Sequence, residues 1–392
     1  MIQLFQFIRF LKKRDYKVFG PVYIPEDGRV VLKEIGNPQK ELDFTGRVPY
    51  FSFKDIVFPA RHEIFRYKGA GLEEIKPQLK EFKDFAFPGR EEFLLPEEKR
   101  KKLKNFSKIA ILMVNFVDLR ALGLYNKVYE NDVYYQALKD KILIVGANLF
   151  EDKPENNHWG FKYSREFLTH CPFDIFLELA ENFKNGYGGD FNVLTGSDKG
   201  KQILAEAKIK PEYHIDYAGP ELWGDLKGKM DNFQERMESH YDEPIWKWLG
   251  ERCIECGQCA LVCPTCFCFD INDRPTGKNE GIRERYWNTC FYANFSEVGA
   301  APRPGTVSEG FEFLNTTAKK IHFWYFHKFG RIPKDYNIEG CVGCGRCTRA
   351  CPVDINLAEV MKLVEGCQGP VAIVKQKSKS VAKTSPKSLM KK

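Results

Sequence analysis

One cysteine pattern occurs twice in this chain, as CIECGQCALVCP at 253–264 and CVGCGRCTRACP at 341–352. Both copies read C-x2-C-x2-C-x3-C-P. The two-residue gaps let one tight loop carry three thiols, and the proline after the fourth cysteine steers the chain away. No other feature constrains the fold as strongly, because eight thiols must be presented to a common chemistry from two distant segments. The chain has 13 cysteines in all; the first 170 residues contain none, and eleven lie between Cys253 and Cys351. A disulfide framework belongs to small secreted domains. The opening MIQLFQFIRFLKKRDY places its basic cluster after its apolar run, the reverse of a secretory signal. The clustering predicts metal ligation in a reducing compartment, and so a cytoplasmic protein.

The spacing is that of bacterial two-cluster [4Fe–4S] proteins. A cubane presents irons at its corners, and three thiolates from one short loop reach three of them. Gly257, Gly343 and Gly345 allow close backbone approach and turn conformations, and backbone amides there can donate to the sulfurs. Zinc is usually held by two CxxC pairs in a tetrahedral site, which explains a doubled four-cysteine motif with two prolines less well. In two-cluster proteins the fourth cysteine serves the other cluster. The expected ligand sets are therefore Cys253, Cys256, Cys259 and Cys351 for one cluster, and Cys341, Cys344, Cys347 and Cys263 for the other. That exchange ties segments 78 residues apart into one pseudo-symmetric unit and brings the clusters close, as an electron relay requires.

Five cysteines remain. Cys266, Cys268 and Cys290 offer three corners of a third cluster, with Cys171, Cys367, His170 or an acidic side chain as fourth ligand. The alternative is that they are buried small hydrophobes around the cofactors. Cys367, beyond the second motif, is expected to be inert.

The net charge of +7 is carried by the end of the chain: from Gly366 onward there are seven lysines and no acids, so residues 1–365 sum to about zero. A basic nucleic-acid-binding face is therefore not expected. No run reaches the roughly 18–20 apolar residues of a membrane span. The expected fold class is α+β: an N-terminal mixed α/β domain at 1–164, a mainly helical connecting region at 165–249, and a ferredoxin-like domain with two [4Fe–4S] clusters at 250–374, with a long insertion between its motifs. A disordered basic tail is expected at 375–392. Leu4, Phe7, Ile8 and Leu11 predict an amphipathic first helix. The apolar runs at 108–117 and 139–149 predict strands buried on both faces, and the helical spacing of 119–138 between them predicts a βαβ unit.

The sequences CIECGQCALVCPTCFCFD, IRERYWNTC and GCVGCGRCTRACPVDI together resemble the iron–sulfur beta subunit of cytoplasmic NAD(P)-linked [NiFe] hydrogenases, also called sulfhydrogenases. The A subunit of anaerobic sulfite reductase is of the same dicluster family. The first helix leading to FGPVYIP, the segment FPGREEFLLPEEK, and VNFVDLRALGLYNKVY before a buried strand follow the same order, so the resemblance covers most of the chain. It implies a non-catalytic electron-transfer subunit of an anaerobic oxidoreductase, without a bond-making site. Its partners would be a flavin-containing NAD(P)-linked subunit and the hydrogenase small and large subunits. The alternatives are the corresponding subunit of an anaerobic sulfite reductase or of a heterodisulfide-reductase-like complex. The chain departs from the family in its N-terminal half, where members carry cysteines, one of them in a His-x-Cys-Asp sequence. Here residues 115–118 read Asn-Phe-Val-Asp, and no cysteine follows Val145 until Cys171. Val117 cannot ligate a metal; Asp118 and Gly123 remain.

Other motifs add no second chemistry. GGDFNVLTGSDKG lacks the G-x4-G-K-[ST] of a phosphate loop. His322 and His327, in KKIHFWYFHKFG, are five residues apart and predict a packing helix rather than a metal site. Arg283 and Arg285 are expected either to neutralise cluster charge and partner carboxylates or to form surface salt bridges.

Overall fold

The computed structural model describes residues 2–58, 60–68, 71–74, 108–150, 159–161, 163–179, 190–222, 233–238, 244–298 and 311–366. The FPGREEFLLPEEK segment, Cys367 and the basic tail lie outside the described residues. The chain divides into two compact units that interleave along the sequence. One comprises Met1–Glu221, Ala260–Asn288 and Tyr336–Arg346; the other comprises Leu222–Cys259, Thr289–Asp335 and Cys347–Lys392.

The first unit is built on an eight-stranded mixed sheet. Across it the strands run Ile2–Gln3, Asp190–Thr195, Ile175–Leu179, Ile142–Ala147, Lys108–Val114, Tyr16–Ile24 and Arg29–Glu34, with Tyr213–His214 also pairing onto Asp190–Thr195. The central pairings are parallel, with Ile111 opposite Ile144 and Val145 opposite Ile175. Both predicted strands are there, and apart from Lys108 every residue of them is buried. Helix Leu4–Lys13 buries Leu4, Phe7, Ile8 and Leu11 against Ala110, Leu112, Leu143 and Val145, as its apolar spacing predicts.

The crossover between the two strands is two helices rather than one. Asn115 caps Phe116–Val128, and Asp132 caps Val133–Lys141 by accepting the Tyr135 N–H at 2.7 Å. The region 165–249 also departs from its expected helical character. It contributes strands Ile175–Leu179 and Asp190–Thr195 to the sheet, because Ile175, Phe176, Leu177, Phe191, Val193 and Leu194 are buried next to the parallel core. Helix Asp198–Glu206 follows, starting where Gly200 meets the start of strand Ile175–Leu179. A Cβ on Gly200 would lie 1.9 Å from the Asp174 carbonyl oxygen.

A second, antiparallel sheet in this unit orders its strands Phe269–Gly277, Glu280–Trp287, Arg61–Lys68 and Gly71–Glu74. The first two form a hairpin in the spacer between the cysteine motifs, and its turn uses Asn279 at φ 60°. Arg283 projects from the hairpin and pairs with Asp273 at 2.6 Å, the surface salt bridge foreseen as one option. Arg285 is buried and pairs with Asp132 at 2.5 Å.

In the second unit, helix Pro244–Arg252 packs on helix Thr317–Phe326. Gly250 permits the contact, since a Cβ there would lie 2.9 Å from the Ala318 nitrogen. Trp246 sits edge-on to His322 at 5.0 Å and beside Tyr325 at 5.6 Å, and the His322 ring nitrogen Nε2 is 3.0 Å from the Met237 carbonyl. The aromatic stretch is thus a packing helix, and it continues into a wider π-type turn over His327–Arg331. Among the described residues no helix is long and apolar enough to cross a membrane.

Two outcomes follow from this packing. Gly200→Ala is expected to destabilise the fold by about 1–3 kcal/mol or more, read as a lower urea midpoint with an unchanged slope. The second concerns His327, whose imidazole is pushed down to about 4 by burial, with Lys328 and Arg331 adding to the effect. Its ordinary value is 6.5, so the unfolded chain binds a proton there before the folded one does. This contribution to stability is complete above pH 6.5 and is lost as the pH falls towards 4. Denaturation midpoints between these limits should fall with pH less steeply in His327→Gln than in the parent.

Candidate metal centre

The two motifs adopt the same backbone. In the first, Glu255 and Gly257 are left-handed at φ 55° and 70°; in the second, the matching positions Gly343 and Gly345 have φ 68° and 70°. Each loop then enters a short helix, Gln258–Leu261 or Arg346–Ala350. The local conformation is therefore set by the shared spacing. Left-handed turns aim successive amides inward, towards the thiols. The Glu255 N–H donates to Cys253 Sγ at 3.4 Å and the Ile355 N–H to Cys351 Sγ at 3.3 Å, while Thr265 Oγ1 lies 3.1 Å from Cys263 Sγ.

In the first unit the second motif is held by the α/β sheet's own helix. Arg346, inside the motif, is fully buried and forms a bidentate pair with Asp118, at 2.6 and 2.7 Å, and its Nε donates to the Pro49 carbonyl at 2.7 Å. Burial works against the guanidinium charge, but Asp118 and the neighbouring Cys344 sulfur outweigh it and raise its pKa. Asp118 is itself aimed by the helix cap: Asn115 Oδ1 accepts its N–H at 2.9 Å, and Asn115 Nδ2 donates to its carboxylate at 3.1 Å. One helical face lower, the Tyr125 hydroxyl donates to the Cys266 carbonyl at 2.7 Å and the Tyr129 hydroxyl to that of Phe267. Trp159 Nε1 donates to the Cys341 carbonyl at 2.8 Å, and Thr265 Oγ1 to that of Gly340 at 2.7 Å.

In the second unit the first motif is held by Glu255. Its carboxylate accepts from Thr317 Oγ1 at 2.6 Å and from the buried Lys320 ammonium at 2.9 Å. Burial alone would raise the carboxyl; the two donors overcome it and pull the pKa below the ordinary value.

None of the twelve described cysteines is in a disulfide. Burial pushes the Cys253 thiol up, and Cys256 and Cys351 are among the charges that add to it. Cys344 is likewise raised by burial, with Cys263 contributing. Cys259 is raised well above its ordinary value, by burial and then by Cys290, Cys347, Cys253 and Cys256. Each motif's cysteines thus lie among others of the eight, and the fourth cysteine of each motif has a neighbour in the other. A metal bound by these thiols would displace their protons. Among the described residues no three His, Cys, Asp or Glu side chains close on one point, as a single bound ion requires. A cubane takes its thiolates at four different irons. The thiols outside any disulfide, the left-handed loops and the N–H donors to sulfur fit such a group.

The leftover cysteines are divided. Cys266 and Cys268 lie in the first unit, while Cys290 lies in the second, beside Cys259. Cys171 is buried beside Arg120, and burial pushes its thiol up to about 12. His170 instead faces the Gly219 carbonyl at 2.9 Å and Glu221 at 3.2 Å. The first unit also contains a cavity of about 460 Å³ lined in part by Leu122, Gly123, Tyr135, Tyr217 and Lys199. Lys199 is engaged by the Ile142 carbonyl at 2.8 Å and by Asp174 at 3.6 Å, so it ties strand ends together.

The doubled cysteine motif is that of an iron–sulfur protein, and residues 252–355 match the family model described as a 4Fe-4S dicluster domain. Along most of its length the chain is similar to sulfhydrogenase 2 subunit beta of Pyrococcus furiosus. The identity is 24% over 327 residues, covering 77% of this chain and 90% of that protein. The expected resemblance to an iron–sulfur beta subunit of the sulfhydrogenases therefore holds. No solved structure matches the chain.

Sequence reasoning found the cysteines and singled out Asp118, but it missed Arg346, Tyr125, Tyr129 and Trp159. Arg346 had one signal, its place in the second two-residue gap, where the first motif has Gln258. The expected cost of Asp118→Ala is about 3–5 kcal/mol, because it leaves Arg346 buried and unpaired. Chemical denaturation of the purified chain checks this, and Asp118→Glu should recover part of the loss.

Proposed function

We propose that the chain is the electron-relay subunit of a cytoplasmic redox complex. It carries two [4Fe–4S] clusters and passes electrons between a flavin-bearing, NAD(P)-linked subunit and the catalytic subunits of a [NiFe] hydrogenase. The observation that supports this best is the repetition of one left-handed cysteine loop in both motifs, which suits two like clusters placed for transfer between them. The name of the Pyrococcus relative, a sulfhydrogenase beta subunit, favours hydrogenase among the possible complexes. The ligand sets are Cys253, Cys256, Cys259 and Cys351 for one cluster, and Cys341, Cys344, Cys347 and Cys263 for the other.

The bound clusters supply reversible one-electron chemistry. The chain's residues tune and protect it. The amides of Glu255 and Ile355, which donate to cysteine sulfur, favour the reduced, more negative state. Asp118 with Arg346, and Lys320 with Glu255, hold the loops in register, so little reorganisation accompanies transfer. Bond-making is left to other subunits.

Anaerobically purified protein should contain about eight irons, and two clusters should cycle reversibly in a potentiometric titration. Clusters that cannot be cycled would sink the relay. Cys351→Ala should damage the cluster of the first motif. If only the second motif's spectroscopic signal were lost, the exchanged ligand sets would be wrong.

A further inference from the structure

Among the described residues, four buried cations have a carboxylate partner close by. Arg120 pairs with Glu339, Arg285 with Asp132 at 2.5 Å, Arg346 with Asp118 at 2.6 Å, and Lys320 with Glu255 at 2.9 Å. Lys54 differs. It opens the short helix Lys54–Val57 and is 3% exposed. Its ammonium donates one long hydrogen bond, at 3.4 Å, to the carbonyl of Ala260, and it stands 4.0 Å from the centroid of the Trp287 ring. Trp287 is fixed in turn by its Nε1 donating to the Phe58 carbonyl at 2.9 Å. No carboxylate lies within ion-pair distance of the Lys54 ammonium among the described residues.

The surroundings indicate which anion would balance Lys54. Burial lowers the Lys54 pKa; the groups that oppose this are the Cys266 and Cys263 sulfurs, then Asp55, then Cys268. Asp55 is a weak counter-charge, since burial pushes its own carboxyl up to about 7. The carbonyl that Lys54 binds belongs to Ala260, in the helix that leads into Cys263, and that same carbonyl accepts the Cys263 N–H at 3.3 Å. A buried ammonium on an aromatic face, with one weak acceptor, needs an anion beside it. Thiolates of an iron–sulfur cluster are such an anion, and they lie where this chain puts Cys263.

We propose that Lys54 is the counter-ion of the iron–sulfur cluster that Cys263 helps to hold, a positioning residue that raises the reduction potential of that cluster. This rests on the two-cluster reading above. A [4Fe–4S] cluster with four thiolates is anionic and gains one negative charge when it accepts an electron. A fixed cation nearby stabilises the reduced form more than the oxidised one, and the effect is strong where water is excluded. The electron enters the cluster alone, and no bond or proton changes at Lys54.

The test uses the full chain with its clusters, titrated electrochemically with redox mediators and followed by electron paramagnetic resonance. Signals are assigned with Cys256→Ser and Cys344→Ser, one for each motif. In Lys54→Met the potential of the cluster altered by Cys344→Ser should move to more negative values, while the other cluster stays in place. Lys54→Arg should keep the parent potential. An unmoved potential in Lys54→Met, with about eight irons bound, would overturn the role of Lys54 alone. Should Lys54→Met fail to hold that cluster, its retention in Lys54→Arg supports the counter-ion, and its loss in both shows a packing role and overturns it. A parent chain with far fewer irons would overturn the cluster reading, and this inference with it.

Discussion

Asp118 and Arg346 are 228 residues apart in sequence and share two hydrogen bonds in the dry interior of the first unit. Much of that unit depends on this contact. Asp118 is pointed by a helix cap, the cap ends a strand buried in the sheet, and Arg346 sits inside a cysteine loop whose backbone has no core of its own. A buried ion pair adds little net stability over an apolar pair of similar volume, but it tolerates only one geometry. Its role here is registration. It fixes the second motif to a rigid sheet, so the thiols of a short, glycine-rich loop keep one arrangement.

The same helix shows how the N-terminal half takes part without cysteines of its own. Val117 is buried with no exposure at all, and Asp118 beside it is turned towards Arg346. Tyr125 and Tyr129 follow on the same side and bind the backbone carbonyls of Cys266 and Phe267. The helix therefore acts as a frame for a segment supplied from elsewhere in the chain.

How much of this could be read in the sequence depends on the range of the forces involved. The strands at 108–114 and 142–147 were legible because a strand buried on both faces must be apolar throughout. The first helix was legible because one face carries Leu4, Phe7, Ile8 and Leu11. The cysteine loops were legible because spacing and glycine fix the backbone locally. The hairpin at 269–287 left no such mark: its first strand is exposed and charged, so no alternation announces it. The strands at 175–179 and 190–195 were masked by polar neighbours. Arg346, Lys54 and the tyrosines were illegible for another reason. Each looks ordinary in its own neighbourhood and acquires its role only from a partner more than a hundred residues away.

The interleaving of the two units has a consequence for the order of events in the cell. The first unit needs residues up to Arg346 before its last segment is present, and the second takes in Leu222–Cys259 long before Cys347–Lys392 is made. A chain emerging from the ribosome in sequence can form much of the large sheet early. Neither unit, however, has all its segments until synthesis has reached the second cysteine motif. The first loop's thiols must therefore wait, exposed to oxidation and stray metals, while nearly a hundred further residues are added. Protection during that interval is a demand that the topology of the fold places on whatever machinery delivers the iron.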